Sequence, residues 1–515
     1  MFNRLKLYLV LSFALLPFLK AEEALEVSDS EFLSLEEVLN SALANNLGLF
    51  TQRYAPGNAR DAVQAAEAAF DIELFGNVGL SERQSAATNS TLDSAVPTST
   101  NRTAGAGATK RLSTGANITV DSGISRGASN NNAARNPDYS ADVGLSLRQP
   151  LLKDSGFKVN LAPIARAKAQ EAQSIFSLRS QILDLMLDTE IAYWNLGYAV
   201  ADRALIASSI ELAQNLLEEN QERERLGLVT PLEVLQAQTE LVNQQENIIQ
   251  ADRAIEDAMD RLRLLMGRDS FIDDLNTKIA VSSLPEKLPE LPPIQDVVRT
   301  SLLADADAAA QEQQIEVQRI NRILAQDETR FDLDLTGGVS YLGRDTDGEQ
   351  AYVGAYNADG YSWNVGLELR FPLGNRDAKA NLRQAERNLE REEVRLYAIK
   401  QEKALAARNA WRALNAGMKR IEVTSQALAL NEQSFEQERA RYGSGISAYR
   451  QVLEAQRDFD RARSNYLSSI IETLRARVRL ERVDGSILER NGYTWDMVDP
   501  IAVNPDVDTL SLIHI

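Results

Sequence analysis

Residues 223–238 read Arg-Glu-Arg-Leu-Gly-Leu-Val-Thr-Pro-Leu-Glu-Val-Leu-Gln-Ala-Gln, and residues 441–456 read Arg-Tyr-Gly-Ser-Gly-Ile-Ser-Ala-Tyr-Arg-Gln-Val-Leu-Glu-Ala-Gln. Arg223, Gly227, Val234, Leu235, Ala237 and Gln238 each recur 218 positions later, as Arg441, Gly445, Val452, Leu453, Ala455 and Gln456. The register continues without a gap through Asn247, Ala258, Leu262 and Gly267, which return as Asn465, Ala476, Leu480 and Gly485. Upstream, Phe70-Asp71-Ile72-Glu73-Leu74 returns as Phe331-Asp332-Leu333-Asp334-Leu335, and Leu147-Arg148-Gln149-Pro150-Leu151 as Leu369-Arg370-Phe371-Pro372-Leu373. A self-match at one fixed offset is the mark of a tandem duplication. Phe70 and Pro150 are 80 residues apart whereas Phe331 and Pro372 are 41 apart, so the first copy carries 39 extra residues. The spacing divides the chain into a first copy over 22–284 and a second over 285–485, followed by a tail over 486–509.

The quoted stretches interrupt helical patterns too long for an ordinary globular domain. In the first copy Ile175, Leu178, Ile182 and Leu185, then Ile206, Ile210, Ala213 and Leu217, follow 3–4 spacing. The pattern predicts a helix from about Pro163 to Leu226, roughly 95 Å at about 1.5 Å per residue. A break at Gly227 to Pro231 precedes a return helix to about Met266, about half that length. The second copy repeats this as about Arg376 to Tyr442 and Arg450 to Val483. At the N-terminus of the first copy, Ser34-Leu35-Glu36-Glu37 is a capping-box pattern opening a short helix. A second helical piece is expected from about Asn58 to Phe70, with Pro56-Gly57 separating the two. One long helix would thus pair with two short ones stacked end to end. Taken alone, these helices fit a tunnel wall or a soluble bundle or coiled coil equally well.

Between the helical parts the period switches to two. Ile72, Leu74, Val78 and Leu80 alternate with polar or small residues, as do Ile118 and Val120, and then Val143, Leu145 and Leu147. In the second copy Trp363, Val365, Leu367, Leu369 and Phe371 alternate with Ser362, Asn364, Gly366, Glu368 and Arg370. One apolar and one polar face suit a sheet closed in lipid, but taken alone they suit a half-buried soluble hairpin better. Within the 39-residue insert, Ala104 to Leu112 and Gly115 to Ser125 read as strands of a hairpin over 103–127.

Composition narrows the chemistry. The 515 residues hold 55 Lys and Arg against 74 Asp and Glu, a formal charge of −19, with no cysteine and one histidine. Disulfides, thiolate metal sites, a Cys nucleophile and a lipid-anchor cysteine are excluded, and a lone histidine excludes multi-His metal sites. So acidic a chain is a poor partner for phosphates, and no nucleic acid is expected. Arg4 and Lys6 before the apolar run Leu7 to Leu19, with Ala21 at the expected cleavage point, read as a secretory signal over 1–21. No other stretch approaches 18 apolar residues, so membrane crossing would have to use a β-barrel.

The duplication, the strand-then-long-helix order and the doubled motif R-x-x-x-G-x-x-x-x-x-x-V-L-x-A-Q resemble the TolC-like outer-membrane efflux proteins, or outer-membrane factors, over almost all of 34–485. The resemblance implies a mainly α fold with a membrane β-barrel portion: a homotrimer in which each chain gives four strands to one shared barrel in outer-membrane lipid and its long helices to an α-barrel periplasmic tunnel. Four strands cannot close a barrel, and open edges cannot sit in lipid, so self-association is compulsory if they span. Small residues at Ala165 to Ala172 and Ala404 to Ala413 fit closely packed tunnel helices. The insert departs from the family pattern and is expected to form an extended extracellular hairpin, with extra barrel strands as the alternative.

The resemblance also places the two quoted stretches at the periplasmic tips, which meet a periplasmic adaptor (membrane fusion) protein and constrict the tunnel. Arg223, Gly227, Arg441 and Gly445 are expected at the tip turns and adaptor contact, with the glycines supplying positive φ. Glu233, Tyr442, Gln451 and Glu454 are expected at the constriction. Glu233 stands where the family often has an aspartate, Gln451 replaces a usual aspartate and Ser447 a usual arginine. Three copies of Glu454 around a narrow axis would repel one another and favour cations, or Glu454 is a solvated helix-face acid.

No catalytic constellation emerges. Gly105-Ala106-Gly107-Ala108-Thr109-Lys110 lacks the spacing of a phosphate loop, and Glu218 and Glu219 have no base, nucleophile or metal ligand beside them. No enzyme activity, cofactor or metal is expected. The final residues, Leu510 to Ile515, are what the codons CTG TCT CTT ATA CAC ATC encode, a transposon end used in sequencing libraries, and 510–515 are expected to be a sequencing artefact. The expected function is a passive outer-membrane channel of a tripartite efflux or type I secretion system, exporting small molecules or proteins supplied by an inner-membrane pump through the adaptor. The alternative is a secreted coiled-coil structural or adhesive protein without a pore.

Overall fold

The computed structural model describes residues 30–84, 98–129, 136–267, 278–282 and 291–495. The expected signal over 1–21 and the artefact over 510–515 lie outside them. The chain divides into two compact units, each drawing on both sequence copies. Among the described residues no helix is long and apolar enough to cross a membrane.

The first unit comprises 1–55, 176–308 and 398–515. Its described elements are β1 (Ser30–Leu33), α1 (Leu35–Asn45), the start of α2 (Leu47–Glu67), most of α4 (Ala162–Arg225), α5 (Pro231–Met266), β6 (Lys278–Val281), α6 (Ile294–Leu303), much of α9 (Arg376–Gly443), α10 (Tyr449–Asp484) and α11 (Ile487–Arg490). The predicted long and return helices agree with α4, α5, α9 and α10 to within about two residues, the usual fraying of helix boundaries. Ser34 opens α1 as expected: its hydroxyl accepts from the Glu37 N–H while the Glu37 carboxylate accepts from the Ser34 N–H.

The core is built from the apolar stripes of α1, α4, α5 and α10, with Leu39, Ile182, Met186, Leu196, Leu262, Met266, Ile471 and Leu474 all buried. Tyr193 sits in it fully buried, and its hydroxyl donates to the Leu33 carbonyl at 3.2 Å and accepts from the Ser282 N–H at 2.9 Å. That phenol ties the parallel pair β1–β6 to the helices. The duplicated glycines Gly267 and Gly485 close the two return helices at φ +65° and +82°. A Cβ on Gly267 would stand 2.1 Å from the Asn45 carbonyl oxygen, and one on Gly485 2.8 Å from Ala304 Cβ. In each copy the C-terminus of the return helix therefore abuts the end of a short helix, α1 or α6, through a residue that must be glycine.

One expectation fails here. The break between the short helices lies at Asn46, and α2 runs straight through Pro56 and Gly57. Proline keeps a helical φ and deletes one hydrogen bond, which a packed helix tolerates at a cost. Asn46 does more to stop a helix: its Oδ1 accepts from the Leu49 N–H at 2.9 Å, and its Nδ2 donates to the Leu265 carbonyl at 2.9 Å. The side chain caps α2 and is itself fixed by the return helix.

The second unit comprises 56–175 and 309–397. It holds β2 (Ile72–Gln84), β3 (Thr98–Arg111), β4 (Asn117–Ser129), β5 (Asp138–Pro150), α3 (Phe157–Asn160), most of α7 (Ala306–Glu328), β7 (Asp332–Asp345), α8 (Gly348–Tyr356) and β8 (Gly360–Arg370). The long and short helices pair inside this unit as predicted. Arg60 meets Glu171 at 3.4 Å, Gln311 Nε2 donates to buried Glu392 at 2.9 Å, and Ala167 and Ala169 are buried.

The six long strands form one antiparallel sheet in the order β2-β3-β4-β5-β7-β8. The chain thus supplies six strands where four were expected, because the insert pairs along its length with β2 on one side and β5 on the other. A hairpin standing off in water would pair β3 with β4 and leave its outer edges to water, whereas here those outer edges make ladder bonds to β2 and β5. Register makes the two faces plain. The row Leu74, Ala108, Val120, Leu145, Val339 and Trp363 crosses all six strands on one face. The next row, Glu73, Thr109, Thr119, Ser146, Gly338 and Asn364, points the other way. Apolar side chains on the first face are open, with Val78 89% and Trp363 70% exposed. Helix α8, unseen in the sequence pattern, lies on that face with Ala351 and Ala355 packed against Ala141.

Candidate functional site: the paired helix turns

The duplicated motif folds twice into the same turn within the first unit. After α4, the Gly227 N–H donates to the Glu224 carbonyl at 2.8 Å and the Leu228 N–H to the Arg223 carbonyl at 2.9 Å. After α9, the Gly445 N–H donates to Tyr442 at 3.0 Å and the Ile446 N–H to Arg441 at 2.9 Å. This paired closure needs a left-handed residue, and Gly227 and Gly445 stand at φ +71° and +73°. A Cβ at either would touch nothing within 4 Å, so the backbone angle alone selects glycine. The return helices start alike. The Thr230 N–H donates to Glu233 Oε2 at 3.1 Å, and the Ala448 N–H to Gln451 Oε1 at 2.9 Å. Positions 233 and 451 are repeat equivalents, and either a carboxylate or an amide satisfies the cap.

The two turns are joined by one arginine. The Arg223 guanidinium donates to the Tyr442 carbonyl at 3.1 Å and the Gly443 carbonyl at 3.3 Å, lies 4.5 Å from the Tyr442 ring centroid, and meets Glu219 at 3.0 Å. The Tyr442 hydroxyl donates to Oδ1 of fully buried Asn220. Tyr449 packs beside it with ring centroids 5.6 Å apart, and Leu216, Ala237, Phe435, Val452 and Leu453 enclose the pair. Burial pushes the Tyr442 phenol above its ordinary pKa, with the Glu233 charge adding to the effect, and burial raises Tyr449 in the same direction. Both phenols therefore stay neutral at physiological pH.

The equivalent of Tyr442 in the first copy is Glu224, so only one copy offers an aromatic face to its partner's arginine. Arg441 is exposed and pairs with Glu438 at 3.1 Å. Of the expected residues, the structure unites Arg223 with Tyr442 and assigns helix starts to Glu233 and Gln451. Glu454 stands apart, exposed and paired with Arg450 at 3.1 Å. Ser447, where the family's usual arginine is absent, donates its hydroxyl to Glu438. Three contributors escaped the sequence reading: Asn220, Glu438 and Tyr449. Asn220 carried a signal, since asparagine is a poor residue for the interior of a long helix and lies one turn before Arg223. Further along the same helices, Arg457 meets buried Glu240 at 2.8 Å, and Ser209 Oγ donates to Asp460 at 2.7 Å. Burial raises the Asp460 pKa. Among the described residues no group of three or more His, Cys, Asp or Glu is arranged to hold a metal ion.

Comparison with protein families gives a match to "Outer membrane efflux protein" over residues 116–268 and 297–486, more than half of the chain. No curated protein matches the sequence. Several solved structures share the fold. The CmeC outer membrane channel of Campylobacter jejuni is 16% identical, with a TM-score of 0.65 over 93% of this chain and 88% of its own. The outer membrane protein VceC of Vibrio cholerae is 16% identical, with a TM-score of 0.64 over 88% of this chain and 96% of its own. The open-state MtrE outer membrane channel of Neisseria gonorrhoeae is 18% identical, with a TM-score of 0.61 over 88% of each chain.

Proposed function

This chain belongs to the outer membrane efflux protein family and serves as an outer-membrane efflux channel, and from that premise we propose that it works as a homotrimer in the outer membrane of a Gram-negative bacterium, its helices extending into the periplasm. Family membership disfavours the pore-less structural or adhesive alternative. The duct is passive. An inner-membrane pump supplies the energy and the cargo, small molecule or protein, and a periplasmic adaptor docks at the helix turns. The channel performs no catalysis, and an acidic chain of charge −19 takes no nucleic acid as partner.

The observation that carries this reading is the six-stranded sheet with one apolar and one polar face. Strands of 13 residues are about 44 Å long and, tilted by about 40°, rise about 34 Å, enough for the roughly 25 Å apolar band of an outer-membrane barrel. Exposed Tyr341, Tyr361 and Trp363 cluster on the apolar face, as an interfacial aromatic girdle would. At the turns, the Arg223–Tyr442 contact acts as the latch between the two copies, Gly227 and Gly445 present the adaptor contact together with Arg441, and Glu454 faces the constriction. Residues 1–21 direct export, and 22–284 and 285–485 are the two structural copies. The test is single-channel recording of the purified oligomer in planar bilayers, with Glu454→Gln alongside. Discrete steps with cation preference, reduced in the variant, are expected. A protein that leaves with the soluble fraction and gives no steps refutes the reading.

A further inference from the structure

The insert that distinguishes the first copy is built into the sheet on the same terms as the strands both copies share. In the apolar row, Ala108 and Val120 come from the inserted strands and stand between Leu74 and Leu145. In the polar row, Thr109 and Thr119 come from them and bond to each other through their hydroxyls at 2.5 Å. On this face Ala104, Ala106 and Ala108 of β3 and Ile118, Val120 and Ile124 of β4 form an apolar band bounded by Lys110 at one end and by Arg102 and Arg126 at the other, and a hairpin projecting into water has no reason to keep such a band in register with its neighbours.

Helix α8 holds the insert from that same side. Its Tyr352 hydroxyl hydrogen-bonds with Ser122 of β4, and Gly348 approaches so closely that a Cβ there would stand 3.2 Å from the Tyr139 ring and 3.5 Å from the Ile124 Cδ1 methyl. On β7 a Cβ at Gly343 would stand 1.9 Å from the Ala351 carbonyl oxygen, so the helix backbone lies directly on the sheet. One element of the second copy thus fastens β4, β5 and β7 together.

Among the described residues the sheet ends at β2 and β8, each paired on one side. With six alternating strands these two edges run antiparallel to each other, so β8 of one chain can continue the ladder onto β2 of the next, a head-to-tail contact that closes a ring. Lipid forbids leaving them open. Resting on the trimeric outer-membrane reading above, we propose that each chain gives six strands to the shared wall, that the inserted strands β3 and β4 face lipid, and that the trimer is an eighteen-stranded barrel. Barrel diameter grows roughly linearly with strand number, so the outlet is about 1.5 times wider than the twelve strands that the family resemblance implied.

The absence of cysteine makes the test clean. Single-cysteine variants Ala108→Cys and Val120→Cys on the apolar face, Thr119→Cys on the polar face, and the references Val365→Cys and Asn364→Cys on β8 are reconstituted as trimers in phospholipid vesicles. They are then treated with a charged, water-soluble maleimide. Ala108→Cys, Val120→Cys and Val365→Cys should be protected at least tenfold relative to Thr119→Cys and Asn364→Cys, and should react with a lipid-partitioning maleimide. Water labelling of Ala108→Cys and Val120→Cys with Val365→Cys still protected overturns the six-strand wall. Labelling of Val365→Cys itself refutes the membrane reading beneath it. A density map of the unsubstituted trimer decides independently of any variant: eighteen strands are expected, and twelve overturn the proposal.

Discussion

Replacing Arg223 by alanine removes the guanidinium that bridges the two helix turns within one chain, leaving the Tyr442–Asn220 bond and the apolar cluster around it in place. Two hydrogen bonds from a charged donor to the Tyr442 and Gly443 carbonyls are lost, together with the stacking on the Tyr442 ring. Taking about 1 kcal/mol for each bond and somewhat under 1 kcal/mol for the ring contact gives a loss of about 2–3 kcal/mol. The Glu219 ion pair adds little because both partners are partly open to water. At about 1.4 kcal/mol per tenfold, amides near the turns should exchange with solvent roughly 30 to 140 times faster. Hydrogen exchange of the solubilised protein reads this directly over residues 219–228 and 439–446, with β4 and β5 as an internal control that should not change. Arg223→Lys keeps the charge but not the planar fork, and should fall between the two. Unchanged exchange over 439–446 in a folded Arg223→Ala protein would refute the latch.

Gly267→Ala combines a left-handed backbone with a Cβ 2.1 Å from the Asn45 oxygen and should cost more than about 3 kcal/mol, whereas Gly227→Ala, with the same angle but open space, should cost about 1–2 kcal/mol; thermal melts separate them. Glu233→Gln should leave the start of α5 intact because an amide oxygen accepts the Thr230 N–H as well, while Glu233→Ala should lose about 0.5–1 kcal/mol, measured by local exchange or by melting. Asp460 has a raised pKa from burial, so its protonated form is favoured in the fold: the stability it contributes is present below the unfolded value of 3.8 and is lost as pH rises through the folded value. Asp460→Asn keeps the Ser209 bond and should raise the melting temperature at pH 7, with the gain shrinking toward pH 4; a gain that grows on acidification would show the sign to be wrong.

Much of this protein is written in periods that a single stretch of chain carries by itself. The 3–4 spacing from Ile175 onward requires a helix because only that geometry brings those residues onto one stripe, and the alternation from Ile72 and from Trp363 requires strands for the same kind of reason. The fixed offset of 218 residues marks the duplication, and glycine at 227 and 445 marks turns that need a positive φ. These signals are local, or are identities between distant segments, and none depends on which segment touches which. The failures all depended on contact. Pro56 looked like a helix breaker and Asn46 did not, because the Asn46 cap is completed by the Leu265 carbonyl some 219 residues away. The insert read as a hairpin, but whether it stands off or joins the sheet is decided by hydrogen bonds to β2 and β5, whose register no single strand contains. Helix α8 has no strong stripe of its own and exists because a glycine on β7 and small residues on β5 let its backbone rest on the sheet. Arg223 and Arg441 occupy equivalent positions in sequence, yet it is Arg223 that binds the Tyr442 ring and the Tyr442 and Gly443 carbonyls, while Arg441 pairs with Glu438. Periodicity decides what each segment becomes, and the long-range packing of side chains decides which equivalent residue acquires a partner.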